Sequence, residues 1–301
     1  MAFLKLIRFP NLVIIAAAQC LVKFVLFPLF DVGEALTVTA FSLLVVATVC
    51  IAAAGYIIND IEDLGIDRIN KPNRVLIGVK FSEKNAFLLF VVLNILGVIC
   101  GFIVANLVGR PNFAALFIFI SALLYMYATF IKKMVVVGNI LVAGLTAFVI
   151  LIVGVFDLVP LTTSVTQANV SSVMQILLHY SIFAFVINLM REIVKDIIDI
   201  NGDKNFDVKS IPIVMGRERA AQLVFALGLF TLLAVLYYAY SNFYLVQLML
   251  AYFFIALAAP LLFFVIKAWN AEKREDFEFL SLLLKIIMVL GLGSIVIYRF
   301  I

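Results

Sequence analysis

From Ala220 to Ile266 the chain contains no charged residue. In hydrocarbon, where no water satisfies exposed backbone groups, only helices satisfy every backbone group over such a length. About 20 continuous apolar residues form one helical crossing. The run is too long for a single crossing, and Tyr240, Ser241 and Asn242 are expected to break it into two helices joined by a tight turn. Further uncharged stretches span Ala35 to Ile58, Asn85 to Val108, Pro111 to Ile131, Met134 to Phe156 and Leu158 to Met190. The polar part of the last, Thr162 to Ser172, reads as a loop. A first span over Phe9 to Phe30 carries Asn11, Gln19 and Lys23, and a final one over Phe279 to Tyr298 carries Lys285.

The pattern predicts an all-α fold, a multi-spanning membrane helix bundle of nine transmembrane helices in a single domain over residues 1–301. Composition agrees: 66% of residues are hydrophobic and 13% are charged, where a soluble domain carries about 25% charged residues. Cys20, Cys50 and Cys100 all lie inside apolar runs, so they predict packing residues and no disulfide framework. Nothing in the charge pattern suggests nucleic acid or an obligate protein partner.

The basic residues set the orientation. Lys5 and Arg8 precede span 1, and Arg68, Lys71, Arg74, Lys80 and Lys84 follow span 2. Lys132 and Lys133 follow span 4, Arg191 to Arg219 hold six cations after span 6, and Lys267, Lys273 and Arg274 follow span 8. The opposite loops show only Arg110 and Arg299. The positive-inside rule then places the N-terminus and these loops in the cytoplasm, in a multi-pass protein of the cell inner membrane.

Nine of the 18 acidic residues fall in two short windows. In the first, Gly55 to Arg74, the residues Asn59, Asp63 and Asp67 recur every four positions and share one face if the helix continues, with Asp60 beside it. In the second, Arg191 to Asp207, Asp196, Asp199 and Asp203 follow steps of three and four, with Glu192 a turn earlier. Like charges at this spacing repel, and the negative end of the helix dipole adds to the penalty. A multivalent cation relieves both. Oxygen ligands without nearby His or Cys suit Mg²⁺, which takes one or two carboxylates, water and substrate phosphate oxygens, and disfavour zinc.

Around the acidic windows stand cations suited to a phosphorylated substrate: Arg8, Arg68, Arg74, Lys132, Arg191 and Lys195. Singly, each also fits a topology-setting or snorkelling residue. Lys132 stands out, because Tyr127 precedes it by five residues and Gly138 and Asn139 follow. Lys23, in mid-span, fits a buried functional cation or a snorkelling side chain equally. His179, beside Tyr180, reads as an interfacial residue at a helix start.

At these motifs the chain resembles the UbiA superfamily of intramembrane prenyltransferases, whose signatures are NDxxDxxxD and a later DxxDxxxD. Here they stand as Asn59-Asp60-Ile61-Glu62-Asp63-Leu64-Gly65-Ile66-Asp67 and Asp196-Ile197-Ile198-Asp199-Ile200-Asn201-Gly202-Asp203. The opening Arg8-Phe9-Pro10-Asn11 and the Tyr127, Lys132, Gly138, Asn139 segment agree. The stretches Asp67 to Arg74 and Arg191 to Asp203 are most similar to the branch making digeranylgeranylglyceryl phosphate. That branch often continues RPIPSG and TLPI, where this chain has Arg74-Val75-Leu76-Ile77-Gly78 and Ser210-Ile211-Pro212-Ile213.

The resemblance implies a ring of helices around a lipid-accessible chamber, with Mg²⁺ as cofactor and a prenyl diphosphate and a lipid-like acceptor as binding partners. It marks Asn59, Asp63, Asp67, Asp196, Asp199 and Asp203 as metal ligands and Asp60, Asp63, Asp199 and Lys132 as catalytic. Arg8, Asn11, Arg68, Arg74, Tyr127, Lys132, Arg191 and Lys195 are then substrate-binding, and a prenylglyceryl phosphate is the expected acceptor. A 4-hydroxybenzoate or naphthoate acceptor is the alternative. A cation transporter would place its carboxylates near mid-membrane on broken helices, unlike these helix-end clusters.

Overall fold

The computed structural model describes residues 1–30, 32–206 and 208–300, and leaves the Arg74 side chain undescribed. Among the described residues nine helices are long and apolar enough to cross a membrane. They are α1 Phe9–Leu29, α2 Val38–Glu62, α3 Glu83–Leu107, α4 Pro111–Thr129, α5 Val137–Leu161, α6 Gln167–Asn205, α7 Arg217–Phe243, α8 Gln247–Trp269 and α9 Arg274–Phe300.

Several boundaries differ from the sequence expectation. Tyr240, Ser241 and Asn242 belong to the last turn of α7, and the turn to α8 falls at residues 244–246. Asn242 returns its side-chain amide to the Tyr238 carbonyl, so its polarity is absorbed inside the helix. The expected loop from Thr162 to Ser172 shrinks to residues 162–166. There Thr163 and Thr166 cap each other, and α6 starts at Gln167. His179 is therefore well inside α6, edge-on to Tyr238, and not at a helix start. The last span begins at Arg274 and not Phe279, because Asp276 bonds back to the Glu272 and Lys273 amides and starts the helix early.

Two spans contain π-turns, Val22–Leu26 in α1 and Phe253–Ala258 in α8. Each is followed within two residues by a proline, Pro28 or Pro260. Proline has no N–H for the carbonyl four residues earlier, and the widened turn absorbs the mismatch.

One compact unit comprises Met1–Cys20, Phe30–Lys132 and Val149–Leu177. Within it α2 lies along α3 through small residues. A Cβ on Gly97 would fall 2.6 Å from Ile51, and one on Gly101 would fall 2.2 Å from the Phe117 ring of α4. This small-xxx-small spacing brings helices together where lipid offers no hydrophobic drive. A separate cluster joins Leu6, Ile7 and Leu12 to Ala53 and Ile57 of α2 and to Ile77 of the loop after it. The short helix Ala2–Leu6 is thereby pinned beside the end of α2.

The second unit comprises Leu21–Leu29, Lys133–Phe148 and the chain from Leu178 onward. Its core runs through Ile187, Met190, Ile193, Val194 and Ile197 of α6, Val224 of α7, Leu261 and Phe264 of α8, and Leu284 and Ile287 of α9. At 39 residues, α6 is about 58 Å long, well beyond the roughly 30 Å of hydrocarbon.

Candidate functional site

The first acidic window ends α2. The helix closes at Glu62, Asp63 adopts φ −87° and ψ 4°, and a short helix Leu64–Asn70 follows. The expected continuous helix is thus interrupted at Asp63. The four-residue backbone bonds nevertheless persist, from Asp63 N to Asn59 O and from Asp67 N to Asp63 O, each 2.8 Å. Asn59 Nδ2 donates to Asp63 Oδ2 at 2.7 Å, and Lys132 Nζ donates to Asp63 Oδ1 at 2.6 Å. Both oxygens of Asp63 are therefore engaged, one by an amide and one by a cation.

Asp60 faces a different cation. Arg8 bonds Asp60 Oδ1 at 2.7 Å, and its guanidinium lies 4.8 Å from the centroid of the Tyr56 ring. Asn11 reaches the Tyr56 hydroxyl at 3.5 Å. The Arg8–Asp60 side chains are 37% and 20% exposed, so the ion pair contributes at most about 1 kcal/mol. What places Arg8 is the packing before it: Leu6 is 0% exposed and Ile7 7%. Arg8 itself has φ 50°, a left-handed conformation that costs a non-glycine residue about 1–3 kcal/mol. Burial of its two apolar neighbours offsets that strain.

Asp67 is partly buried, Arg68 is exposed, and Arg68 Nη2 rests over Gly78 in the following loop. Gly78 has φ 80°, so glycine is required there, and its N–H closes the loop on Phe81 O at 2.7 Å. Tyr127 is partly buried on α4. The Arg74 side chain, Asp31 and Asp207 lie outside the described residues.

The second window remains helical through Asn205, so the expected stripe of Asp196, Asp199 and Asp203 forms. Asn139 Nδ2 donates to Asp196 Oδ2 at 2.8 Å, and Asn188 Nδ2 donates to Thr146 Oγ1 at 3.0 Å. Asn139 and Thr146 lie two turns apart on α5, and Asp196 and Asn188 lie about two turns apart on α6. The two bonds therefore fix an antiparallel register. Lys195 bonds Glu192 at 2.5 Å. Asp203 is 8% exposed, and its carbonyl accepts from Phe206 and Val208 at 3.2 Å, closing the helix. Asp199 keeps one carboxylate oxygen buried.

Asn139 was not among the residues predicted to act, although the Gly138-Asn139 pair signalled it. It stands just after Val136, whose φ is 67°. A β-branched residue there is an outlier, and such strain collects at functional sites.

The family model for the UbiA prenyltransferase family matches residues 15–292. The chain belongs to the UbiA prenyltransferase family. Among relatives, it is 31% identical to a digeranylgeranylglyceryl phosphate synthase of Methanosphaera stadtmanae over 83% of this chain and 86% of that one. A digeranylgeranylglyceryl phosphate synthase of Methanococcus aeolicus is 34% identical over 84% and 82% of the two chains. A solved apo structure of a UbiA homologue from Aeropyrum pernix K1 superposes with a TM-score of 0.70 at 18% identity, covering 96% of this chain and 98% of that one. A UbiA homologue from Archaeoglobus fulgidus bound to DMAPP and Mg²⁺ matches with a TM-score of 0.58 at 14% identity, over 98% and 99%.

In this UbiA chain the donor set can be tested against magnesium. Among the described residues, no three His, Cys, Asp or Glu side chains converge as a preformed cage. Both windows nonetheless present carboxylate and amide oxygens with no His or Cys beside them. Mg²⁺ is usually held by one or two carboxylates, waters and substrate phosphates, not by an all-protein cage. The residues fit the ion on those terms.

Proposed function

We propose that this chain is a magnesium-dependent prenyltransferase that moves a geranylgeranyl-type group from its diphosphate onto a prenylglyceryl phosphate, giving an ether-lipid precursor. The observation that carries the reading is the alternation of sign around Asp63: Asn59 and Lys132 on one carboxylate, with Arg8 on Asp60 a turn away. A site for a metal alone would gather carboxylates, and a site for an anion alone would gather cations. A metal diphosphate calls for both. The relatives named digeranylgeranylglyceryl phosphate synthase support the acceptor, and the Archaeoglobus fulgidus homologue bound to DMAPP and Mg²⁺ supports the donor.

On this reading Asn59, Asp63 and Asp67 in one window, and Asp196, Asp199 and Asp203 in the other, are the magnesium ligands. Bound there, magnesium would neutralise diphosphate charge and stabilise the leaving group. Lys132 leaves Asp63 for the diphosphate oxygens, and Arg68 and Arg74 add charge as pyrophosphate departs. Tyr127 and Asn11 frame the donor, while Asn139 and Asn59 hold their carboxylates in position. The C–O bond to the diphosphate breaks, the acceptor hydroxyl oxygen forms the new ether bond, and its proton leaves with pyrophosphate. Apolar helix walls keep water from the allylic cation. Arg8, Arg191 and Lys195 are left for the acceptor phosphate.

The chain works as one domain over residues 1–301, in the cell inner membrane with its acidic windows toward the cytoplasm, the orientation favoured by the cationic loops. Mass spectrometry of products from purified protein, geranylgeranyl diphosphate and either acceptor class tests the reading. An ether product is expected, and prenylated 4-hydroxybenzoate or naphthoate as the dominant product would overturn the acceptor.

A further inference from the structure

The turn that starts α5 is held in a conformation its own sequence disfavours. Only Met134, Val135 and Val136 connect the 3-10 turn ending at Lys133 to the helix starting at Val137. Val137 N donates to Val135 O at 2.7 Å around Val136, whose φ is 67°. A hydrogen bond spanning three residues about a positive φ is the rare, strained form of γ-turn. Glycine takes up such backbone freely, and a β-branched residue is the least suited to it. The Val136 side chain does not account for the turn, because it is 39% exposed.

The neighbours of Val136 do account for it, all of them within the second unit. Lys133 O accepts from Lys209 N at 3.3 Å, and Lys209 stands between the buried residues Val208 and Ser210. That segment is itself anchored to the end of α6, where Asp203 O accepts from Phe206 N and Val208 N. Val135 packs against the core of the unit. Val136 O accepts from Ile140 N at 3.0 Å and closes the first turn of α5, in which Asn139 donates to Asp196 at 2.8 Å. The connection is thus tied to α6 at one end and to the segment leaving α6 at the other. Strain of this kind persists only where the surroundings over-determine it.

We infer that Val136 is a positioning residue: its left-handed turn aims Asn139 at Asp196 and so sets the second acidic window for magnesium. The inference rests on the reading of Asp196 as a magnesium ligand and adds the backbone device behind it. With both ends of the connection fixed, a negative φ at residue 136 redirects the chain and costs one attachment. The Asn139 bond is the one expected to go, because it sits in a first helical turn, where intrahelical bonds are fewest.

The test compares the native protein with Val136→Gly, Val136→Pro, Asn139→Ala and the variant combining Val136→Pro with Asn139→Ala, all full-length in detergent. Glycine accepts a positive φ, and proline forbids it. Without magnesium, amide hydrogen exchange across residues 133–140 should be as slow in Val136→Gly as in the native protein, and faster in Val136→Pro. In the transfer assay, Val136→Pro and Asn139→Ala should each raise the magnesium concentration for half-maximal rate about tenfold, the scale for a lost partner of a metal ligand. The combined variant should lose no more than either alone, and Val136→Gly should lose nothing. A native magnesium response in Val136→Pro overturns the inference. So does a further loss in the combined variant, since the turn would then act otherwise than through Asn139. Should Val136→Pro not fold, Val136→Gly decides: native exchange and a native magnesium response uphold the inference, whereas a weakened response assigns the effect to the valine side chain and overturns it. Native protein whose transfer ignores magnesium removes the metal reading and this inference with it, whereas a native response that Val136→Pro leaves untouched removes this inference alone.

Discussion

Nζ of Lys132 donates a 2.6 Å hydrogen bond to Oδ1 of Asp63, a residue 69 positions earlier in the chain. The Lys132 side chain is 10% exposed and that of Asp63 20%, so the pair is shielded enough for geometry to matter. Asn59 holds the other carboxylate oxygen, so removing Lys132 does not orphan Asp63. Lys132→Met is therefore expected to leave melting of the solubilised protein nearly unchanged while lowering kcat by about a hundredfold, the scale of one transition-state donor. Steady-state kinetics beside a thermal melt checks this, and a loss of stability matching the loss of rate would make Lys132 structural.

Asp196→Asn probes charge without shape. The amide oxygen can still accept from Asn139, so the α5–α6 register should survive while one carboxylate is lost. Activity should fall by at least about tenfold and recover partly at higher magnesium, as expected for a weakened ligand set. A magnesium titration reads this; full activity at ordinary magnesium would remove Asp196 from the ligands.

The small-residue contacts make a prediction about stability alone. Gly101→Ala would put a Cβ 2.2 Å from the rigid Phe117 ring, and overpacking of this kind destabilises by about 1–3 kcal/mol. Gly109, with nothing within 4 Å but φ 68°, should lose less on the same change, through backbone strain only. Thermal melts of the two variants in one detergent should rank in that order.

Orientation is tested by chemistry from one side. Single cysteines at Asn73 and Asn205, introduced after replacing Cys20, Cys50 and Cys100, should react with an impermeant thiol reagent only from the cytoplasm. One at Thr166 should react only from outside. Labelling of Asn73 and Asn205 from opposite sides would separate the two acidic windows.

The helical framework was readable because lipid leaves few choices: long uncharged runs from Ala35, Asn85 and Ala220 each became spans. The acidic stripes were readable because like charges at helical spacing are anomalous. What sequence did not disclose were the partners. Nothing local pairs Arg8 with Asp60, 52 residues away, or Asn139 with Asp196, 57 away; packing of Leu6, Ile7 and the α5–α6 register decides them. Turn positions also escaped, since Asn242 returns its side-chain amide to the Tyr238 carbonyl within α7. The break at Asp63 escaped because the i to i+4 bonds run through it.

The central claim is that the two acidic windows hold magnesium for a prenyl diphosphate, and equilibrium binding of a non-hydrolysable geranylgeranyl diphosphate analogue tests it most directly. The native protein, Asp63→Asn and Asp199→Asn would be titrated with and without magnesium, EDTA serving as the reversible control. Tight binding is expected only with magnesium, weakened at least about tenfold by either substitution, the usual scale for a disturbed metal site. Equal binding with and without magnesium, or native affinity in both variants, would contradict the account.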